Sequence, residues 1–300
     1  MTGTRVNRRT GTGQDMSVWC HDDTWFFEFS YEMMDLQGTI YDIVESIPQS
    51  PSKARRELEA IIEKYPYAFD AYDRLAFIIY HIYRKLDESI ELLQRGLLRS
   101  SELFPEGFIL GKSNLPWAVM ENRPFLRMYS SLGFRLLDRA ETEQATRILE
   151  DILEMNPEDN QGLREVLCSC YFKVGDVQSV LDLCSKYADD TTPAILFGRV
   201  LALFKTGRID KAREEMRQAV RYGGNVALEI MAKKHVKIKN TDIEYYEAGS
   251  KKEASLYWND FGKYWYEVAG AVEFVRNEAR KTSPAGRNDL LRALQDALPK

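Results

Sequence analysis

The sequence predicts an all-α fold, an α-solenoid of helical hairpins with a C-terminal helical cap, and three observations carry that prediction. The first is a ladder of small and large side chains. Tyr129, Leu132, Gly133, Leu136, Ala145, Leu149, Ile152 and Pro157 mark two helices joined by a tight turn, with the small residues where the helices cross. The second is repetition: Ala54, Leu58, Ile61 and Pro66 repeat the steps of four, three and five that run from Ala145 to Pro157. Gly175 and Gly207, 32 residues apart, mark two further turns. The third is that no segment alternates with period two for long enough to require a sheet.

Taken in order, residues 1–15 hold three Gly, four Thr and three Arg with little apolar surface, and are expected to be a disordered tail. Residues 30–47 read as an amphipathic helix ended by Pro48 and Pro51, and 52–66 as the second helix of that pair. Tyr72, Leu75, Ala76 and Ile79, then Ser89, Leu93 and Gly96, mark the next pair. Residues 99–124 interrupt the array. Pro105, Gly107, Gly111 and Pro116 forbid a continuous helix there, while Phe104, Phe108, Leu110, Leu115 and Trp117 are too apolar for a solvated linker. Pairs follow at 126–159, at 161–192 around Gly175-Asp176, and at 193–224 around Gly207-Arg208. The array therefore covers 16–224, and capping helices are expected over 225–280. Ser250 to Glu253 fits a capping box, with Ala254, Tyr257, Trp258, Phe261 and Trp265 at helical steps behind it. Residues 281–300 read as a loose tail or a short docked helix.

The ladder at 126–159 resembles the tetratricopeptide repeat (TPR), whose period is about 34 residues, and the neighbouring segments are degenerate versions of it. The blocks Asn122–Arg127, Asn156–Arg164 and Gly249–Ala254 further resemble a group of small bacterial TPR proteins of unassigned biochemistry. The resemblance implies stacked hairpins and no substrate.

Composition excludes several classes. The 300 residues are 44% hydrophobic and 29% charged, enough to bury a sizeable core, and the net charge is -5. No apolar run approaches the roughly 18 to 20 residues of a membrane span. Arg5, Arg8 and Arg9 precede no apolar stretch, so no secretory signal is read and a cytoplasmic home is expected. Cys20, Cys168, Cys170 and Cys184 suit reduced, mostly buried thiols. Cys20-His21-Asp22-Asp23 holds metal-ligand types, but no second Cys or His cluster completes a site. Phosphate-loop, dinucleotide, zinc-protease and nucleophile-elbow motifs are absent from the sequence. The carboxylates Glu150, Asp151, Glu154, Glu158 and Asp159 read as a solvated helix face. No catalytic residue, metal or cofactor is expected, and an enzyme is disfavoured.

The TPR resemblance implies that the first helix of each pair lines a concave groove. Carried onto this chain, the groove positions are Arg74, Phe77 and Tyr80 with His81; Arg127 and Phe134 with Leu137; Phe172 and Lys173; and Phe197, Phe204 and Lys205. Where chaperone-tail receptors carry Lys and Asn, this chain has Ser130, Phe134, Glu165, Ser169, Phe197 and Leu201, so an apolar helix or extended peptide fits better. Phe108, Leu110 and Trp117 of the interrupting loop are candidates to fold into that groove and occupy it. The leading reading is a non-catalytic scaffold or adaptor that binds a protein segment. A first alternative uses the basic stretch 208–240, where nine Lys and Arg stand against four Asp and Glu. Its Arg213, Arg217, Arg221, Lys233 and Lys234 would contact RNA or DNA, with Tyr245 among the aromatics that follow. The second alternative is an enzyme with its site at the C-terminal cap.

Overall fold

The computed structural model describes residues 6–9, 15–236 and 246–282. The chain divides into two compact units, Met1–Leu163 and Arg164–Lys300.

The first unit opens with a sheet, which corrects the expectation that none is present. Strands β1 (Val6–Arg9), β2 (Asp15–His21) and β3 (Thr24–Phe29) are antiparallel in that order, with Met16 opposite Phe29 and His21 opposite Thr24. The two-residue turn Asp22-Asp23 is left-handed at both positions, φ 47° and 59°, as a tight hairpin of this twist requires. Part of the tail expected over 1–15 is thus strand; residues 1–5 and 10–14 lie outside the described residues. Alternation is present, since Met16 and Val18 on β2 and Phe27 and Phe29 on β3 are buried. It is obscured in the sequence by Trp19 and Phe26, which pack on each other with ring centroids 4.3 Å apart.

Three hairpins follow. They are α1 (Tyr31–Ser46) with α2 (Pro51–Lys64), α3 (Phe69–Phe77) with α4 (Leu86–Ser101), and α5 (Arg123–Asp138) with α6 (Thr142–Met155). Ser30 caps α1 by accepting the Met33 N–H at 3.3 Å, and Pro51 opens α2, where no N–H donor is needed. The small residues stand at the crossings as their spacing requires: a methyl group on Gly133 would lie 3.3 Å from Ile148 Cγ2, and Ala145 is fully buried. Beyond Phe77, α3 continues into a π-helical turn at Ile78–Ile82.

The interrupting loop lies on β3 and α6. Asn122, at the end of a 3-10 turn Met120–Asn122, donates to Trp25 O (3.1 Å) and Pro116 O (3.0 Å) and accepts from Phe27 N–H (3.0 Å). Leu115 is buried and its N–H donates to Met155 O at 2.8 Å.

The second unit holds two hairpins, α7 (Leu163–Val174) with α8 (Val177–Lys186) and α9 (Pro193–Lys205) with α10 (Ile209–Tyr222), then α11 (Gly224–Met231), α12 (Lys251–Glu267) and α13 (Ala271–Thr282). The capping box at the start of α12 forms: Ser250 Oγ accepts from Glu253 N–H (3.1 Å), and the Glu253 carboxylate accepts from Gly249 N–H (2.7 Å). Cys168, Cys170 and Cys184 are buried and none of them forms a disulfide. The described chain is thus an assembly of TPR-like helical hairpins with one small sheet. Among the described residues no helix is long and apolar enough to cross a membrane.

Candidate partner-binding site

In the first unit, Asp70 and Asp73 lie three residues apart on α3 and point their carboxylates at α5. Arg127 forks onto Asp70, its Nε donating at 3.0 Å and its Nη2 at 2.8 Å to each oxygen, and Ser131 Oγ donates to Asp73 at 2.5 Å. Burial pushes the Asp70 carboxyl up from its ordinary value and the Arg127 charge opposes that. These contacts fix the spacing of α3 and α5 and leave a cavity of about 240 Å³ between them, lined by Arg74, Phe77, Arg127, Ser130, Ser131 and Arg135 among others. At its edge the π turn, a feature common at functional sites, sets three rings side by side. His81 packs on Phe77 at 4.5 Å and on Tyr80 at 4.7 Å, and the Arg135 guanidinium lies 3.9 Å above the Tyr80 ring. Burial, and then the Arg135 charge, hold His81 below its ordinary range, so the ring is neutral at pH 7. Phe77 is 45% exposed. The sequence-nominated Arg74, Phe77, Tyr80 and Arg127 are therefore brought together, with Phe134 half-buried further along α5. Arg135 was not among the candidates. Its signal is the single helical turn that separates it from Ser131 on α5.

The second unit treats the matching face differently. Phe172, 4% exposed, stacks on Tyr264 at 5.2 Å and meets Phe261 edge-on at 6.2 Å. Phe197 is fully buried against Tyr257 (5.8 Å), and Phe204 packs on Phe274 (4.8 Å). Tyr264 OH donates to Ser169 O at 3.0 Å, and Trp265 Nε1–H donates to Tyr257 OH at 2.8 Å. Hence Phe172, Phe197 and Phe204 do not line an open groove; the C-terminal helices α12 and α13 are laid over them, because their aromatic faces bury more surface there than water would allow. Lys173 and Lys205 stand exposed at the ends of α7 and α9.

The loop does not fill the α3–α5 cavity. Phe108 stacks on Phe104 at 4.0 Å and meets Trp25 edge-on at 5.4 Å. Leu110 is half-buried on the same loop. The Trp117 N–H donates to Asn156 Oδ1 at 3.0 Å, and its ring lies 5.4 Å from the Arg123 and 5.7 Å from the Arg127 guanidinium. No loop residue lines the cavity. The backbone hydrogen bonds to β3 and α6 hold the segment elsewhere.

Of the basic stretch, Arg213 is paired with Asp210 (2.7 Å) and Glu278 (3.4 Å), while Arg217 and Arg221 on α10 and Lys233 and Lys234 after α11 are exposed. Lys237, Lys239 and Tyr245 lie outside the described residues. Among the described residues no three His, Cys, Asp or Glu side chains form a metal-binding group. Cys20-His21-Asp22-Asp23 is the hairpin turn instead. A second, larger cavity of about 780 Å³ lies between α2 and α4 over α3, and sequence reasoning missed it. Its floor of Tyr72, Leu75 and Ile79 is buried beneath a charged rim, where Arg55 donates to Glu88 at 2.6 Å across the gap. The only signal for it is charge, Arg55, Glu59 and Glu63, on a helix face that closer packing would have made apolar.

A family model described as transcriptional repressor TCF25 matches residues 25–293, and the chain belongs to that family. Comparison with curated proteins finds no relative. Among solved structures, the chain is similar to YrrB, a TPR protein with an unusual peptide-binding site, at 13% identity and TM-score 0.45, over 79% of this chain and 97% of that one. It is also similar to Naa15/Naa10 bound to HypK-THB, at 17% identity and TM-score 0.43, over 88% of this chain and 37% of that one, so it spans little more than a third of that relative's length.

Proposed function

From membership of the TCF25 family and the geometry of the first unit, we propose that this chain is a non-catalytic interaction scaffold that receives a protein segment between α3 and α5. One observation carries the reading. The α3–α5 face keeps Phe77 45% exposed beside Arg74 and the Arg135–Tyr80 stack, whereas the second unit covers its own equivalent face. Exposed aromatic area next to charge that is already oriented suits a peptide or helix with an apolar side chain to bury and polar groups to match. The family's description as a transcriptional repressor then reads, for this chain, as repression through protein contacts; Arg213, one of the basic residues on α10, is already committed to carboxylates.

The test compares proteins co-purifying with the full chain and with a Phe77→Asp, Arg74→Glu variant, each with and without nuclease treatment and quantified by mass spectrometry. Phe77 is exposed, while Arg74 is half-buried and lies 3.5 Å from the Asp73 carboxylate, so Phe77→Asp alone is assayed beside the double variant and the melting temperature of each is measured. The expected result is selective loss of one set of partners. An unchanged set, or one that disappears on nuclease treatment alone, would overturn the reading.

A further inference from the structure

Among the described residues helix α1 keeps a second face at the surface, where the Tyr41 side chain meets only Glu45 of its own helix. It buries Met33, Leu36, Ile40 and Ile43 against the rest of the first unit. On the opposite side Tyr31 is 88%, Met34 49% and Tyr41 63% exposed. Together with Gly38 these positions step by three, four and three, which places them on one stripe along the helix, about 15 Å long at 1.5 Å per residue. Single exposed apolar residues are ordinary; three on one helical stripe are not.

Gly38 is the independent observation. It sits in the middle of a helix, where glycine is the least favourable residue after proline. Its backbone is not left-handed, and a methyl group added there would meet nothing within 4 Å. Neither backbone conformation nor packing inside the chain calls for it. What a glycine at the centre of an exposed apolar stripe does supply is close approach of a backbone from outside.

Charge narrows the partner. The helix carries Glu32, Asp35, Asp42 and Glu45 and has no Lys or Arg. Asp35 and Asp42, two turns apart, flank the stripe on one side, and both are exposed. Nucleic acid and anionic lipid are repelled by such a face. We infer that the outer face of α1 docks a basic amphipathic helix of another protein, which crosses α1 at Gly38, buries Tyr31, Met34 and Tyr41, and sets Lys or Arg against Asp35 and Asp42. A helix matches better than an extended strand because the stripe follows helical ridges, and two helices approach most closely where one of them carries a small residue.

The experiment uses the full chain and a fluorescent 18-residue probe peptide of Leu, Ala and Lys with alanine at its centre, beside a control with Glu for Lys. The Lys peptide is expected to saturate with a Kd on the order of 10 µM at low salt, and to bind at least about tenfold more weakly at 0.5 M salt. The Glu peptide is expected not to saturate. Gly38→Leu, and separately Asp35→Lys with Asp42→Lys, are expected to weaken the Lys peptide by roughly tenfold or more. Gly38→Ala is expected to raise the melting temperature, which shows that the glycine is not held for folding. No binding of the Lys peptide, or equal binding by wild type and the variants, would overturn the inference. So would self-association of the chain that Gly38→Leu abolishes, since the occupant would then be a second copy.

Discussion

The two units build the same hairpins and use the inner face of their first helices in opposite ways. In the second unit Phe172, Phe197 and Phe204 are packed under Tyr257, Phe261, Tyr264 and Phe274 of the same chain. In the first unit the aromatic residues of α3 and its π turn share their face with Arg74, Arg127 and Arg135, and among the described residues no helix lies over Phe77. The difference teaches that an aromatic inner face does not by itself mark a binding groove. What decides is whether the chain supplies its own cover, and the accompanying charge is the sign: the covered face is apolar around its rings, and the open one is lined with guanidinium groups.

A matched pair of truncations tests this most strongly. Phe172→Ala removes a buried ring and leaves a cavity beneath α12, so it is expected to cost about 3 kcal/mol. Phe77→Ala, at a half-exposed ring, is expected to cost under about 1 kcal/mol. Chemical denaturation of both variants, followed by tryptophan fluorescence, measures the two values. Trp258 and Trp265 report on the second unit, and Trp19, Trp25 and Trp117 on the first. Equal costs would mean that the α3–α5 face is closed as well, and the comparison would fail.

The turns offer a smaller test of the same contrast. Gly175 and Gly207 turn the hairpins of the second unit with φ 80° and 73°, but the corresponding residues of the first unit are Arg84 and Ala140, at φ 59° and 65°. An L side chain in that region is strained by about 1 kcal/mol relative to glycine. Ala140→Gly is therefore expected to raise the stability of the first unit by up to about 1 kcal/mol, and Gly207→Ala to lower that of the second by a similar amount. Thermal unfolding of the two variants checks both signs.

Those turns also explain what could be read from the sequence. The hairpins were legible because helix crossings require small residues at fixed steps, and Gly133 and Ala145 obey that rule; the capping box at Ser250 was legible because its chemistry is local. Three things were not. The β2–β3 hairpin alternates for only a few residues and is masked by Trp19 and Phe26 on its outer side. The cover over Phe172 was hidden because the spacing of Tyr257, Phe261 and Trp265 says that one helix face is buried without saying against what; α12 contacts α9 and α11, and Tyr264 reaches back to Ser169 of α7. The loop's destination depended on the Asn114 carbonyl, the Leu115 N–H and the side-chain amide of Asn122, hydrogen-bonding groups for which the hydrophobic pattern carries no signal.

The smallest effects concern the helix starts of the second unit, and they separate the hairpin scaffold from its cover. Asp176 caps α8 by accepting from the Ser179 N–H (3.0 Å) and Oγ–H (2.8 Å), and these hydrogen bonds hold its carboxyl below the ordinary value. A carboxyl lowered on folding stabilises the fold above its unfolded pKa, and that contribution is lost as pH falls through the folded value. Asp176→Ala is therefore expected to cost about 1 kcal/mol at pH 7 and to approach zero cost in acid below both values. Ser250 caps α12 with a hydroxyl that does not titrate, so Ser250→Ala is expected to cost about 1 kcal/mol across the same range. Thermal unfolding between pH 2 and pH 7 distinguishes the two profiles. Hydrogen exchange of the α12 amides then shows how far the loss spreads. Because Tyr257, Phe261, Tyr264 and Trp265 are each buried, a cap of that size should free only the first turn and leave Phe172 covered. Exchange rising along the whole of α12 would instead make the cover a lid held by its cap, and the second unit would then differ from the first only in the state of that lid.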